Sequence, residues 1–414
     1  MHRYHKNNNR SALVLIAVMW IMIVLTVIVA VVAQASRIDT RTSLSTAEKI
    51  RCKWALRAGM ETAIAVLNDD KDYNFSDTFD DLWSDNPEDF NDFDLGACSY
   101  STEVIDESGK LNINTATKKQ LLYLPGMTEE IANSIIDWRD KDDEIRPGSA
   151  EAGYYINLPY PIYIRNAPFR TIRELLMVKD VTEDLFYGTD GEDAVFDQGY
   201  KNEGWINYFT CYSYMRNRNA DGERLVDINR GSERRLERDL EIPKSYSKWI
   251  VDNRKKGFKK PSELISKSSP SEPKKSAAKS GDAQPLDLKT VLDIADKITF
   301  SRNRILYGKV NINTADKMVI YALLEGNETL AENIITYRDG SGGFSSFSEF
   351  ASVESVNKNN VKKILDNFTI RSDIFMLKVT ANAYQTAAEK NIEAVVDRHE
   401  SPAKILFYCS GVRD

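Results

Sequence analysis

Histidine is nearly absent from this chain of 414 residues, which has only His2, His5 and His399. Cysteine is scarce too: Cys52, Cys98, Cys211 and Cys409 include no Cys-x-x-Cys pair, so a zinc site lacks ligands at the usual spacing. No Gly-x-Ser-x-Gly segment occurs and one His alone lies beyond residue 5, which leaves a Ser-His-Asp hydrolase without its parts. Basic excess is also missing, since 55 Lys+Arg face 62 Asp+Glu for a net charge of -7, where a nucleic-acid binder shows the opposite sign. That acidity is uneven. Residues 69–94 carry eleven acids against Lys71, a net -10 that leaves the rest of the chain at +3. A content of 42% hydrophobic residues excludes wholesale disorder, and the length predicts two or three domains.

The largest local absence is of charge: Ser11 to Ser36 holds no charged side chain. As a helix, Ala12–Ala33 measures ~33 Å, enough to cross a hydrocarbon core of ~30 Å. Arg3, Lys6 and Arg10 precede it, which places the short leader in the cytoplasm and the remaining chain on the far side. Ala33-Gln34-Ala35 resembles a signal cleavage site, but a removable signal has an apolar stretch of about 7–15 residues, and this one is longer. From Arg37 to Leu67 there is no Pro and one Gly, Gly59, while Ile50, Trp54, Ala58 and Ala65 recur near a helical period. One long helix, half in lipid and half packed on a globular head, is expected. The acidic run after it, with Phe75, Phe79, Trp83, Phe90 and Phe93, reads as a solvated connecting loop.

Repeats follow. Asn112-Ile113-Asn114-Thr115-Ala116 recurs as Asn311-Ile312-Asn313-Thr314-Ala315, and the two segments run without a gap to Trp138-Arg139-Asp140 and Tyr337-Arg338-Asp339, matching at 13 of 29 positions. A weaker copy runs from Asp227-Ile228-Asn229 to Asp252-Asn253-Arg254. Each copy closes on a Phe five residues before a Glu: Phe169 and Glu174, Phe258 and Glu263, Phe344 and Glu349. In the first copy Thr115 or Thr117 can cap a short helix, Leu124-Pro125-Gly126 breaks the chain, and Thr128 caps a second helix with Glu129 and Glu130 at its positive end. Ile131, Ile135 and Trp138 fall at i, i+4 and i+7, one apolar stripe. The pattern is helix-hairpin-helix. Such turns can offer backbone N–H groups to DNA phosphates, but here Glu129, Glu130 and Glu328 put carboxylates where a phosphate would lie.

Between its Arg-Asp and its closing Phe, the first copy inserts an acidic loop and a Pro- and Tyr-rich tail reaching Pro168. Asp140, Asp142 and Asp143, followed after Pro147-Gly148 by Glu151, supply hard oxygens on a bent loop, the ligand type Ca2+ takes at 2.3–2.6 Å. A solvated acidic loop is the plain alternative, because no EF-hand pattern is present. Asp190-Gly191-Glu192-Asp193 with Asp197 forms a second, weaker oxygen cluster.

Strand-like runs rich in Val, Ile, Tyr, Phe and Thr occupy Ala97–Asp106, Trp205–Tyr214, Ile374–Ala383, Asn391–Asp397 and Ala403–Ser410, predicting one antiparallel sheet of about five strands packed on the exported half of the helix. Ser266–Pro285 reads as a flexible linker. The four Cys face an oxidising compartment under this topology, and their connectivity cannot be read from spacing.

These residues resemble the minor pseudopilin K family of the bacterial type II secretion system, also called general secretion pathway protein K. The features that carry the resemblance are Ser11-Ala12-Leu13-Val14-Leu15, the run Glu107–Ala116, Trp138-Arg139-Asp140-Lys141-Asp142-Asp143 with Pro147–Glu151 and Tyr154-Tyr155, and Phe169–Leu176. It implies an α+β pseudopilin fold: a long N-terminal transmembrane helix, a small antiparallel sheet and large inserted helical lobes of helix-hairpin-helix (SAM-like) type. The expected division is a cytoplasmic leader (1–10), the helix (11–68), an acidic loop with a first strand (69–108), a first lobe (109–204), a further strand of the sheet (205–221), a second lobe of two copies with the flexible insert 266–285 (222–370), and C-terminal strands (371–414).

The resemblance further implies a single-pass inner-membrane protein with its head in the periplasm, acting at the pseudopilus tip in filament initiation and protein export. Its partners would be minor pseudopilins I and J, the secretion platform and prepilin peptidase, with no nucleic acid and no catalytic residues. It supports Ca2+ at Asp140, Asp142, Asp143 and Glu151. The peptidase normally cuts after Gly, whereas Arg10-Ser11-Ala12 has none, so either Ser11 stands at the cut, or the leader stays, or the assigned start of the chain misleads. Where most pseudopilins carry a Glu, this chain has Leu15 or Ile16, as expected for a subunit with none above it. The alternative from the hairpins alone is a membrane-anchored DNA receptor of the competence type.

Overall fold

The computed structural model describes residues 9–73, 76–189, 203–218, 223–266, 283, 286–386, 388–400 and 403–411. Helix α1 (Asn9–Tyr73) is continuous for 65 residues, ~97 Å at 1.5 Å per residue. Side chains from Leu13 to Val32 are exposed on all faces of the helix, the pattern of a helix solvated by lipid. Within and beyond that segment Thr26, Thr40, Thr42 and Thr46 return their hydroxyls to carbonyls four residues back, so these polar groups need no other partner.

From Cys52 onward one stripe of α1, formed by Cys52, Ala55, Leu56, Met60, Ala63 and Leu67, is buried against Tyr100, Phe375, Leu377, Val379, Ala381, Ile392 and Val396. These belong to a five-stranded antiparallel sheet in chain order: β1 (Phe93–Asp94), β2 (Cys98–Asp106), β3 (Ile374–Ala383), β4 (Glu389–Asp397) and β5 (Lys404–Ser410). Gly59 sets the approach. A Cβ there would lie 2.7 Å from Val379 Cγ1 and 2.8 Å from Thr102 Oγ1 and Tyr100 Cδ2, so only Gly lets the helix seat this closely. The acidic run is not merely a solvated connector, because Trp83 and Phe90 are buried and Trp83 meets Phe375 edge-on at 5.1 Å.

The helical lobes enter the sheet as a single insertion, residues 107–373, between β2 and β3. The described part of the expected strand region 205–221, residues 205–218, therefore does not add a strand to the sheet. Phe209–Thr210 pairs in parallel with Leu111–Asn112, and Met215–Arg216 pairs with Ile305–Leu306. The apolar residues that suggested a sheet strand serve the first lobe instead: Trp205 and Phe209 are buried in its core, and Trp205 Nε1 donates to Pro125 O at 2.9 Å.

That parallel pair is one of three. Val226–Asp227 with Ile298–Thr299 and Val310–Asn311 with Phe368–Thr369 close the other two units in the same way. In every unit an Asn and an Arg do the local work. Asn114, Asn229 and Asn313 each donate to and accept from the backbone of the closing Phe at 2.7–3.0 Å. Arg139, Arg254 and Arg338 each donate to two carbonyls at the start of their own unit. The repeated Glu174, Glu263 and Glu349 accept from backbone N–H groups just after the closing Phe.

Candidate metal centre

In the first unit a helix (Glu129–Arg139), capped by Thr128 Oγ1 on Ile131 N, runs into the acidic loop, and a short helix (Ala152–Ile156) follows it. Asp137 lies on the last turn of the first helix and is fully buried. It accepts from the Arg146 guanidinium and Ser149 Oγ, and from Arg146 N at 3.0 Å. Arg146 also reaches Asp140 Oδ2 at 2.6 Å, so a single guanidinium holds two carboxylates, and the loop is folded back onto the helix end.

The remaining oxygens are left over. Glu151 is 3% exposed, yet neither of its carboxylate oxygens has a hydrogen-bond partner, and the same holds for Asp140 Oδ1 and Asn166 Oδ1. Burial, reinforced by Asp137, Asp140 and Asp143, pushes the Glu151 carboxyl up to about 7. Asn166 sits at φ 44°, in the left-handed region Asn tolerates. Its Nδ2 binds Asp143 Oδ1 at 2.8 Å and Asp142 O at 2.9 Å. A buried carboxylate with no donor is costly unless a cation compensates it, and this donor set is all oxygen, which suits Ca2+.

Among the described residues no three of the four expected carboxylates place oxygens within 4.8 Å of one another, but Asp140 and Asp143 are electrostatically coupled to Glu151. Asp142 stands apart: its carboxylate accepts from Glu144 N at 3.0 Å and closes a local turn. Two residues were missed. Asp137 is hidden between Ile136 and Trp138 in a helix, and its one sequence signal is that the third unit has Thr336 at the equivalent place. Asn166 lies far along the tail with no pattern around it. The weaker cluster Asp190–Asp193 with Asp197 lies outside the described residues. Arg10, Ser11 and Ala12 fall in the first turns of α1, and Leu15 and Ile16 are exposed on its apolar part.

A second acidic group contrasts with the first. Asp70, Asp77 and Asp81 place carboxylate oxygens within 4.8 Å of one another, but Arg398, itself buried, pairs with Asp70 at 2.8 Å and with Asp77. The protein supplies that cation itself. All four Cys are free thiols, and burial raises those of Cys52, Cys98 and Cys211.

The hairpin turns of the first and third units face each other. Tyr123 packs edge-on against Tyr321 at 5.7 Å, Lys119 Nζ lies 2.7 Å from Glu325 Oε2, and a Cβ on Gly326 would strike the Tyr123 ring. The two turns thus pack on each other, while Thr128–Glu130 and Asn327–Thr329, at the helix starts that follow them, are exposed.

Residues 103–187 match the family described as Type II secretion system (T2SS), protein K, and residues 307–369 match the helix-hairpin-helix motif. Curated relatives include endonuclease/exonuclease/phosphatase family domain-containing protein 1 of Mus musculus and of Homo sapiens, each 43% identical over 44 residues, 11% of this chain and 8% of theirs. The Danio rerio protein of that name is 38% identical over 60 residues, 13% of this chain and 11% of its own. The chain thus spans about a tenth of the length of these relatives. Among solved structures, a chain of the GspK-GspI-GspJ complex from the enterotoxigenic Escherichia coli type 2 secretion system is similar, with a TM-score of 0.50 and 13% identity, over 90% of this chain and all of that one. This likeness is one of fold.

Proposed function

We infer that this chain, a protein K-like component of the type II secretion system by its matched segment and its fold, is a minor pseudopilin that acts at the tip of the periplasmic pseudopilus. The observation that carries the reading is the architecture itself. An apolar helix runs unbroken into a sheet-packed half, and the protein K segment, residues 103–187, begins in β2 and leads straight into the first hairpin unit. Its role is assembly: the helix anchors in the inner membrane and aligns with neighbouring subunits, while the head meets minor pseudopilins I and J.

Bulk and charge support the tip position. Residues 107–373 form lobes inserted in a sheet of five strands, a load that would obstruct a subunit stacked above. Leu15 and Ile16 offer no carboxylate to the amino terminus of such a subunit. Prepilin peptidase would act at Arg10-Ser11-Ala12. Ca2+ would be held by Asp140, Asp143, Glu151 and Asn166, tying the loop to the helix end and supplying the charge that Arg146, spent on Asp137 and one oxygen of Asp140, does not. In this reading the ion is structural and no bond is made or broken.

Deleting the gene in its native host tests the function. Type II cargo should accumulate in the periplasm and return to the medium on complementation with the full chain. Undiminished export in the deletion strain would contradict it.

A further inference from the structure

The junction between the sheet and the third hairpin unit is built almost wholly from buried acids and amides. Asp106, at the end of β2, accepts from Ser108 N at 2.7 Å, from Asn311 Nδ2 at 3.0 Å, and from the hydroxyls of Thr314 and Ser372. Asn311 also donates to Asp77 O at 3.1 Å. Asp77 N donates to Ile370 O at 2.9 Å, and Asp77 Oδ2 accepts from Ser372 N at 2.7 Å. Residues 311, 314, 370 and 372 belong to the third unit and its exit, so the unit is seated on the sheet through Asp77 and Asp106.

Among the described side chains charge is unbalanced there. From the end of α1 comes Asp70, from the following segment Asp77 and half-buried Asp81, and from β2 Asp106. The one cation among these residues is Arg398, just after β4, which also lies 4.8 Å over the Phe375 ring. Beyond Arg398 are Asp373, which adds to its positive character, His399, 3.8 Å from Asp373, and Arg216, which is already paired with Asp397 and Glu400. Asp106 has four donors, which pull against the rise that burial gives its carboxyl. Asp77 has two, shares its guanidinium with Asp70 and faces two further carboxylates. A buried cluster with more carboxylates than cations keeps a proton where the anion is least compensated.

We propose that this cluster is a proton-linked joint: Asp77 holds a proton while the third unit is seated on the sheet, and losing it as the pH rises loosens that seat. Burial first, and then Asp106 and Asp70, raise the Asp77 carboxyl from 3.8 to about 7 against the pull of Arg398. With the folded value above the unfolded one, the folded state binds more protons between the two. The Asp77 contribution to stability is therefore full below about pH 4, falls as the pH rises, and levels off above about 7. Such a joint would let the exterior pH, which reaches the periplasm, set how firmly the hairpin lobe is held relative to the anchor.

Hydrogen exchange on the full-length chain in detergent micelles, with calcium saturating at every pH, tests this. Protection factors at the Ile312 amide, which bonds Thr369 O, should drop up to tenfold per unit between pH 5.5 and 7, while those in the centre of β3 drop less. Asp77→Asn should flatten the Ile312 profile. Should that variant fail to fold, Asp70→Asn should move the fall to lower pH, because it removes a negative neighbour. A wild-type profile that is flat over this range would overturn the proposal, as would an Asp77→Asn variant with the wild-type slope or an Asp70→Asn variant with no displacement.

Discussion

Two acidic clusters in this molecule have similar residues and opposite solutions. At the sheet junction Asp70 and Asp77 close on Arg398, a side chain of the same chain, and the cluster is complete at the cost of one retained proton. In the first hairpin unit Arg146 satisfies Asp137 and part of Asp140, and the oxygens of Glu151, Asp140 Oδ1 and Asn166 Oδ1 are left without donors. The difference shows that neither acid density nor burial marks an ion site. What marks one is the set of buried oxygens left over after the protein's own cations have been assigned.

The comparison breaks most forcefully at Arg398. Arg398→Leu leaves two buried carboxylates facing each other and should lower stability by about 3–5 kcal/mol, read as a fall in the denaturation midpoint that added calcium does not restore. Chelation should act on the other cluster alone. Removing calcium from a hundredfold excess over its dissociation constant costs ~2.7 kcal/mol, and at ~2–4 °C per kcal/mol the melting midpoint should drop by about 5–10 °C with EGTA. An unchanged midpoint would dismiss the structural ion.

Substitutions inside the loop sharpen the contrast. Glu151→Gln removes the least compensated carboxylate, so the calcium-free protein should stay within ~1 kcal/mol of wild type or gain stability, while the calcium-dependent rise in melting temperature disappears. Asp142→Asn should have the smallest effect, below ~0.5 kcal/mol, with the calcium response kept, because that side chain only closes its own turn on Glu144 N. Equal losses of calcium response in the two variants would mean that the sequence spacing, and not the observed geometry, defines the site.

Much of the architecture could be read in the sequence because it rests on local periodicity. The uncharged run and the unbroken helical period marked α1, but not the face it buries: Ile50, Trp54 and Ala65 are exposed, and Cys52, Ala55, Leu56, Met60, Ala63 and Leu67 meet the sheet instead. The runs Ala97–Asp106, Ile374–Ala383, Asn391–Asp397 and Ala403–Ser410 became β2 to β5, and the Asn-Ile-Asn repeats marked the hairpin units. Failures came where a partner distant in sequence decides the outcome. Trp205–Tyr214 carries strand residues whether it joins the sheet or closes a lobe, and only the contact with Leu111–Asn112 decides which. Asp77 lies in an acidic run that looks solvated and is buried because Arg398, 321 residues on, reaches it. At the candidate metal centre the insertion was legible as acidic, and Asp140 and Asp143 are coupled to the buried Glu151. Asp137 was masked by the helical stripe around it, and Asn166 by its distance from the loop it braces.

Both clusters bear on the lobes, whereas the proposed role in secretion depends on the anchor and head acting together with other pseudopilins. Size-exclusion chromatography with light scattering on the full-length, detergent-solubilised chain mixed with minor pseudopilins I and J tests that role most directly. The account predicts a single species containing one copy of each protein at micromolar concentration. Elution of this chain apart from an I–J pair would contradict it.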